Sequence, residues 1–229
     1  MIAYIPARLG SKRIPEKNIK LLKGKPIITY VIETLKKLDF ISEVHVSTDS
    51  IKIQGIAETA GAKVSELRDK SLSDDKTGFM DLISEDIPRY FNENDRKDVL
   101  FVLATAAIVP VQTYKDAYLI WKKKNPNILM SCKEYEKSPY WALAPDSNGF
   151  LKPLFKEMVY INSQDLPKAY TDAGLFYYFN LERMSGYDSH KVVDELLPYL
   201  ITEEWALDID TMDDWNRLDE IAGKFLNER

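Results

Sequence analysis

A single cysteine, Cys132, leaves no partner for an intramolecular disulfide, which suits a reducing compartment. Placed at the end of an apolar run, it reads as a small buried hydrophobe. Two histidines, His45 and His190, stand without a third ligand nearby, so zinc and a Ser-His-Asp triad have little support. No apolar run approaches the roughly 20 residues that a membrane helix needs. The opening run from Met1 to Arg8 lacks the basic leader and apolar stretch of a secretory signal, so a cytoplasmic location away from membranes is expected. A basic excess is also missing: 31 Lys and Arg face 36 Asp and Glu, a net charge of -5, which argues against a general nucleic-acid binder. Neither a P-loop nor a dinucleotide glycine fingerprint is present.

What is there is a folded chain of 229 residues, 45% hydrophobic, with room for one large core. Its charge is uneven. The first 37 residues hold Arg8, Lys12, Arg13, Lys17, Lys20, Lys23, Lys25, Lys36 and Lys37 against only Glu16 and Glu33. A local cationic patch on an acidic protein points to a small anionic ligand.

Short apolar runs alternate with stretches of helical period. Strands are expected at Ile2–Ile5, around Val44 and Val46, briefly around Val64, at Asp98–Ala104, Ile128–Ser131 and Leu175–Phe179. Helices are expected from Pro26, over Ile51–Ala60 with Gly61 as its cap, over Met80–Phe91 with Pro88 kinking it or starting a new turn, and over Tyr114–Lys124. A last helix has Thr211 as N-cap and turns Met212, Trp215, Leu218, Ala222 and Phe225 inward. Trp121 also reads as core, and Tyr177 and Tyr178 as sheet residues. This alternation implies an α/β, doubly wound, mostly parallel sheet, with ligands beyond the carboxyl ends of its strands. Between about 133 and 170 the pattern lapses into proline-broken, hairpin-sized pieces, read as a small inserted lobe.

Four constellations could carry chemistry. After the first strand, Arg8 and Lys12 flank a Gly10-Ser11 turn whose backbone N–H groups could face an anion; a solvated charged loop is the competing reading. Asp208 and Asp210, if extended, put two carboxylates on one face with Ile209 inward, which suits Mg²⁺; alternatively Asp210 caps the following helix, or the pair is a polar strand end. Arg68 precedes a polar loop, Leu72-Ser-Asp-Asp-Lys-Thr-Gly78, and from the residues alone a surface turn is the leading reading. Asn162–Pro167 and Tyr170–Gly174 offer hydrogen-bonding groups that fit a polyhydroxylated ligand or an ordinary loop.

The run Ile5-Pro-Ala-Arg-Leu-Gly-Ser-Lys-Arg-Ile-Pro-Glu-Lys-Asn18 resembles the opening signature of the acylneuraminate (CMP-sialic acid synthetase) cytidylyltransferases. Val46-Ser-Thr-Asp49, Leu67-Arg68 and Asp208-Ile-Asp-Thr211 follow in the same order. Lys17-Asn18 is closer to the sialic-acid branch than to the Kdo branch. Leu72–Gly78, and more strongly Ser163–Gly174, resemble the pseudaminic acid cytidylyltransferases. Departures fall at Leu103 and Ala107, which bear on sugar choice, and at Leu9, which stiffens the loop.

The resemblance implies a Rossmann-like nucleotidyltransferase that moves CMP from CTP to the anomeric hydroxyl of a nonulosonic acid, pseudaminic acid first, releasing pyrophosphate. N-acetylneuraminic, legionaminic or Kdo-type acids are the alternatives, and a non-catalytic nucleotide-sugar sensor is the reading from another class. It further implies nucleotide contacts from Ala7, Arg8, Gly10, Ser11, Lys12, Asn18 and Arg68. Catalytic roles fall to Arg8, Lys12, Asp208 and Asp210, with Mg²⁺ on the two aspartates. Gln164, Tyr170 and Asp172 would face the nine-carbon sugar acid, and the lobe would form a homodimer.

Overall fold

Strand β1 (Ile2–Pro6) buries residues on both faces: Ala3 and Ile5 turn to one hydrophobic cluster, Ile2 and Tyr4 to another. That two-sided burial puts β1 inside the sheet. The computed structural model, which describes residues 1–92, 95, 97–184, 196–202 and 205–226, places it there. Its companions in the central sheet are β2 (Glu43–Ser47), β3 (Asp98–Val102), β4 (Ile128–Glu134), β5 (Tyr170–Asn180) and β6 (Leu196–Leu200). The order is β6-β4-β5-β3-β1-β2. β1 pairs in parallel with β2 and β3, and β4 with β6; β5 alone runs antiparallel, between β3 and β4. The sheet is thus mostly parallel, as the alternation implied.

Helices α1 (Ile27–Leu35), α2 (Ile51–Thr59), α3 (Val111–Lys124) and α4 (Met212–Leu226) all contribute to the larger cluster, through Ile28 and Val31, Ile53 and Ala57, Tyr114 and Trp121, and Trp215 and Leu218. The opposite face carries a thinner layer in which Leu82, Ile83, Ile87 and Met184 pack on Tyr4, Phe101 and Phe179.

Several boundaries differ from expectation. Met80–Phe91 is no single helix: a turn at Phe79–Asp81 passes into a π segment at Leu82–Asp86 and a 3₁₀ turn at Ile87–Tyr90. Pro88 lacks the N–H that a regular ladder needs there, so the turns re-space around it. The strand around Val64 reduces to one bridge, His45 to Lys63. Met212 is exposed rather than inward, being the first residue of α4. Expectations at His190 lie outside the described residues.

The 133–170 stretch forms a separate small hairpin, Leu143–Pro145 against Leu151–Pro153, between β4 and β5. Many of its large side chains are exposed, among them Trp141, Leu143, Phe150, Leu151, Leu154 and Tyr160. Among the described residues no helix is long and apolar enough to cross a membrane.

Candidate active site

The loop that leaves β1 is tied down at three points. The Ala7 N–H donates to the Ser47 carbonyl at 2.8 Å, extending the β1–β2 ladder by one residue. The Leu9 N–H donates to Asp49 Oδ1 at 3.0 Å, and Asn18 Nδ2 donates to the Arg8 carbonyl at 2.9 Å. These bonds leave the Arg8 and Lys12 side chains free to reach over the sheet's carboxyl edge. Both meet one carboxylate, Asp75: Arg8 Nη2 lies 2.8 Å from Oδ1, and Lys12 Nζ pairs with Oδ2. Their charges hold the Asp75 carboxyl below the usual range, the Lys12 hydrogen bond being the largest cause. The two cations converge on this one anionic group while Lys12 itself stays exposed to solvent.

A cavity of about 590 Å³ opens here, lined by Arg8, Ser11, Lys12, Arg13, Lys17, Asn18, Arg68, Asp75, Leu103 and Asp210, among others. Ala7 is fully buried and does not line it. Gly10 is exposed, and a β-carbon there would touch nothing within 4 Å. Arg68 is only 5% exposed, its backbone N–H held by the Thr48 carbonyl at 2.7 Å.

Of the two C-terminal carboxylates, Asp210 lines this cavity and is held there by two cations of the opening loop, while Asp208 does not line it. Lys17 Nζ donates to the Ile209 carbonyl at 2.5 Å and lies 3.4 Å from Asp210 Oδ1, while Arg13 pairs with the same oxygen at 2.8 Å. Ile209 is fully buried and anchors the segment. The capping reading of Asp210 falls, because Thr211 and Asp214 cap α4 between themselves: Asp214 N–H donates to Thr211 Oγ1 at 3.2 Å, and the Thr211 N–H to Asp214 Oδ2 at 2.7 Å.

Asp208 reaches the solvent yet has protein packed on its inner side. Its carboxyl is raised above the ordinary value, first by partial removal from water, then by the Asp210 charge, with Asp172 and Asp214 adding to it against Lys17. It nestles against Gly174, where a β-carbon would stand 2.9 Å from Cγ. Two neighbouring carboxylates whose mutual repulsion favours any arriving cation suit a hard divalent ion completed by phosphate oxygens. Among the described residues, no group of three or more His, Cys, Asp or Glu side chains is placed to hold a metal ion.

The sugar-side expectations divide. Asp172 accepts from the Gly174 N–H at 2.8 Å and from the Tyr177 hydroxyl, which fixes its carboxylate on the Asp208 side. Burial, then Asp172, pushes the Tyr177 hydroxyl far up. Gln164 and Tyr170 are exposed in the lobe and at the start of β5, and neither lines the cavity. Leu103 does line it, whereas Ala107 is fully buried core. Cys132 is buried as expected, which raises its thiol to about 11.

Four residues were not singled out from the sequence as functional: Asp75, Arg13, Lys17 and Asp49. Lys17 stood inside the opening signature, and Asp75 and Asp49 within quoted motifs. Their partners lie 40 to 197 positions away, as with Leu9 to Asp49 and Arg13 to Asp210, so periodicity carries no trace of them.

The cytidylyltransferase family model matches residues 2–219. The chain belongs to the cytidylyltransferase family. This cytidylyltransferase is 33% identical over 218 residues to the pseudaminic acid cytidylyltransferase of Campylobacter jejuni, covering 93% of this chain and 92% of that one. It is also 33% identical over 224 residues to the CMP-N,N'-diacetyllegionaminic acid synthase of Legionella pneumophila, with 94% and 93% covered. Among solved structures, CMP:2-keto-3-deoxy-manno-octonic acid synthetase complexed with CTP superposes with a TM-score of 0.73 at 13% identity, over 97% of this chain and 98% of that one. At that identity the likeness speaks for the fold, a Rossmann-like nucleotidyltransferase, and the family membership makes the chain an enzyme of the nucleotidyltransferase class.

Proposed function

We propose that the enzyme transfers CMP from CTP to the anomeric hydroxyl of a nonulosonic acid, pseudaminic acid first, and releases pyrophosphate. The observation that carries this reading is the shared cavity: Arg8, Lys12 and Arg68 from the N-terminal half line it together with Asp210 from the C-terminal end. The sugar class is supported by the named Campylobacter jejuni and Legionella pneumophila relatives.

In this mechanism the triphosphate takes over Arg8 and Lys12 from Asp75, exchanging one carboxylate for oxygens that carry more charge. Arg68, already desolvated, adds a cation whose field is little screened. With its N–H engaged, Ala7 can meet cytosine only through its carbonyl, beside the Oδ1 of Asn18. Gly10 and Ser11 place backbone N–H groups at the phosphates. An oxygen–phosphorus bond forms at the α-phosphorus as the α–β anhydride bond breaks, so no covalent enzyme nucleophile is needed and positioning dominates. The residues that would hold Mg²⁺ are Asp208 and Asp210, and a bound ion supplies Lewis-acid stabilisation of the charge that develops on phosphate oxygens. Asp172, oriented by Tyr177, faces the acceptor side; Gln164 in the lobe and Tyr170 at the start of β5 are assigned to the sugar although neither lines the cavity. The requirement for CTP and the single buried thiol fit a cytoplasmic setting.

The exposed aromatic and aliphatic side chains of the lobe, Tyr160 at 93% and Phe150 at 68% exposure, support its burial in a homodimer. Sedimentation velocity at micromolar concentration should show a dimer; a monomer there would remove this part.

The deciding assay is a panel of pseudaminic, legionaminic, N-acetylneuraminic and Kdo-type acids with CTP and Mg²⁺, read as pyrophosphate. Pseudaminic acid should give the highest kcat/KM. Because the legionaminic relative has the same identity as the pseudaminic one, legionaminic acid is the second reading. Release with none of the acids would overturn the proposal.

A further inference from the structure

Arg13 stands in the opening loop between exposed Lys12 and Ile14, which is buried in the core and fixes the loop at that point. From there its guanidinium crosses to the C-terminal end of the chain, where Nη2 lies 2.8 Å from Asp210 Oδ1. Lys17 Nζ meets the same oxygen at 3.4 Å, but its closer partner is the Ile209 carbonyl at 2.5 Å. The two cations thus differ in their anchoring. The Lys17 side chain is 23% exposed and tied to buried backbone, whereas that of Arg13 is 65% exposed and held by a surface ion pair.

Asp208 and Asp210 bring two negative charges, and Arg13 and Lys17 set two positive ones beside Asp210. A divalent ion approaching without nucleotide therefore meets a carboxylate already neutralised, with cations next to it that repel the newcomer. Arg13 also lines the same cavity as Arg8, Lys12 and Arg68, where a triphosphate would sit. A guanidinium is a planar fork that matches phosphate oxygens, and an exposed pair to one carboxylate competes weakly with several such oxygens. Lys17, fixed through the Ile209 carbonyl, stays behind.

We propose that Arg13 has two successive partners: Asp210 before the nucleotide arrives, and the triphosphate once CTP binds, which hands Asp210 to the divalent ion. The inference rests on the reading of this cavity as the triphosphate site and of Asp208 and Asp210 as metal ligands. Arg13 then couples the two ligands beyond any direct contact between them. CTP withdraws a cation from the metal's carboxylate, and by reciprocity the metal favours Arg13 on phosphate.

The test compares the wild-type enzyme with Arg13→Gln, Asp210→Asn and the double variant Arg13→Gln/Asp210→Asn. Titration with Mn²⁺, read by electron paramagnetic resonance without nucleotide, gives the metal affinity; calorimetry in EDTA gives the affinity for metal-free CTP. Arg13→Gln should tighten Mn²⁺ about twofold to fivefold, the range of one exposed ion pair, and weaken metal-free CTP by at least as much. A merely structural role would weaken both. The Mn²⁺ gain should vanish when Asp210 is also replaced. Mn²⁺ binding no tighter in Arg13→Gln than in wild type, metal-free CTP binding unchanged, or a gain that persists in the double variant would each overturn the exchange. Wild-type Mn²⁺ affinity in Asp210→Asn with CTP present would instead sink the metal assignment, and the inference with it. Should Arg13→Gln fail to fold, Arg13→Met carries the same comparison.

Discussion

Gly174 faces Asp208 so closely that a β-carbon on the glycine would stand 2.9 Å from the carboxylate carbon. The glycine also has φ +64, in the left-handed region. Gly174→Ala therefore meets two penalties: backbone strain on the order of 1–3 kcal/mol, and a push on a proposed metal ligand. A lower melting temperature is expected, together with a kcat reduced about tenfold or more and a raised Mg²⁺ requirement. Melting curves and a Mg²⁺ titration of pyrophosphate release check this.

Asp208 and Asp210 should respond oppositely to loss of charge when metal is absent. The Asp208 carboxyl is raised, so the folded state holds its proton more tightly than the unfolded chain does. Its contribution to stability is thus present in acid and lost as pH rises through the raised value. Asp208→Asn should melt higher than wild type at pH 7 in EDTA, with the gap closing below the ordinary Asp range. Asp210→Asn breaks ion pairs to Arg13 and Lys17 and should show no such gain.

Asp75 competes with the triphosphate for Arg8 and Lys12. Exposed pairs of this kind contribute little and are screened by salt. Asp75→Ala should accordingly tighten CTP binding by about twofold to tenfold, an effect that shrinks with added salt. Calorimetry at two ionic strengths measures both.

The Cys132 thiol, raised to about 11 by burial, is almost wholly protonated at pH 8. Iodoacetamide should leave it unmodified in the native enzyme and alkylate it once denaturant is added. Mass spectrometry of the intact chain reads both states.

The frame of the fold was legible because buried strands such as Ile2–Pro6 and Asp98–Val102 are continuous apolar runs, and α4 announces itself through Thr211 and its stripe. The direction and length of β5 were not. Its first residues, Tyr170, Thr171 and Asp172, are polar and exposed, so only its buried half showed an apolar pattern. Met80–Phe91 carried a helical period, yet one missing N–H at Pro88 was enough to re-space its turns. At the site, residue types marked Arg8, Lys12, Asp208 and Asp210 as candidates. What pairs them came from contacts the chain makes only when folded: Asp75 between Arg8 and Lys12, and Lys17 reaching across 192 positions to Ile209.

Pyrophosphate release from CTP and the preferred acid by Asp208→Asn and Asp210→Asn tests most directly whether the two aspartates and the opening loop form one catalytic cleft. Each substitution should lower kcat on the order of a hundredfold or more while the chain stays folded. Rates equal to wild type in both variants would contradict the account.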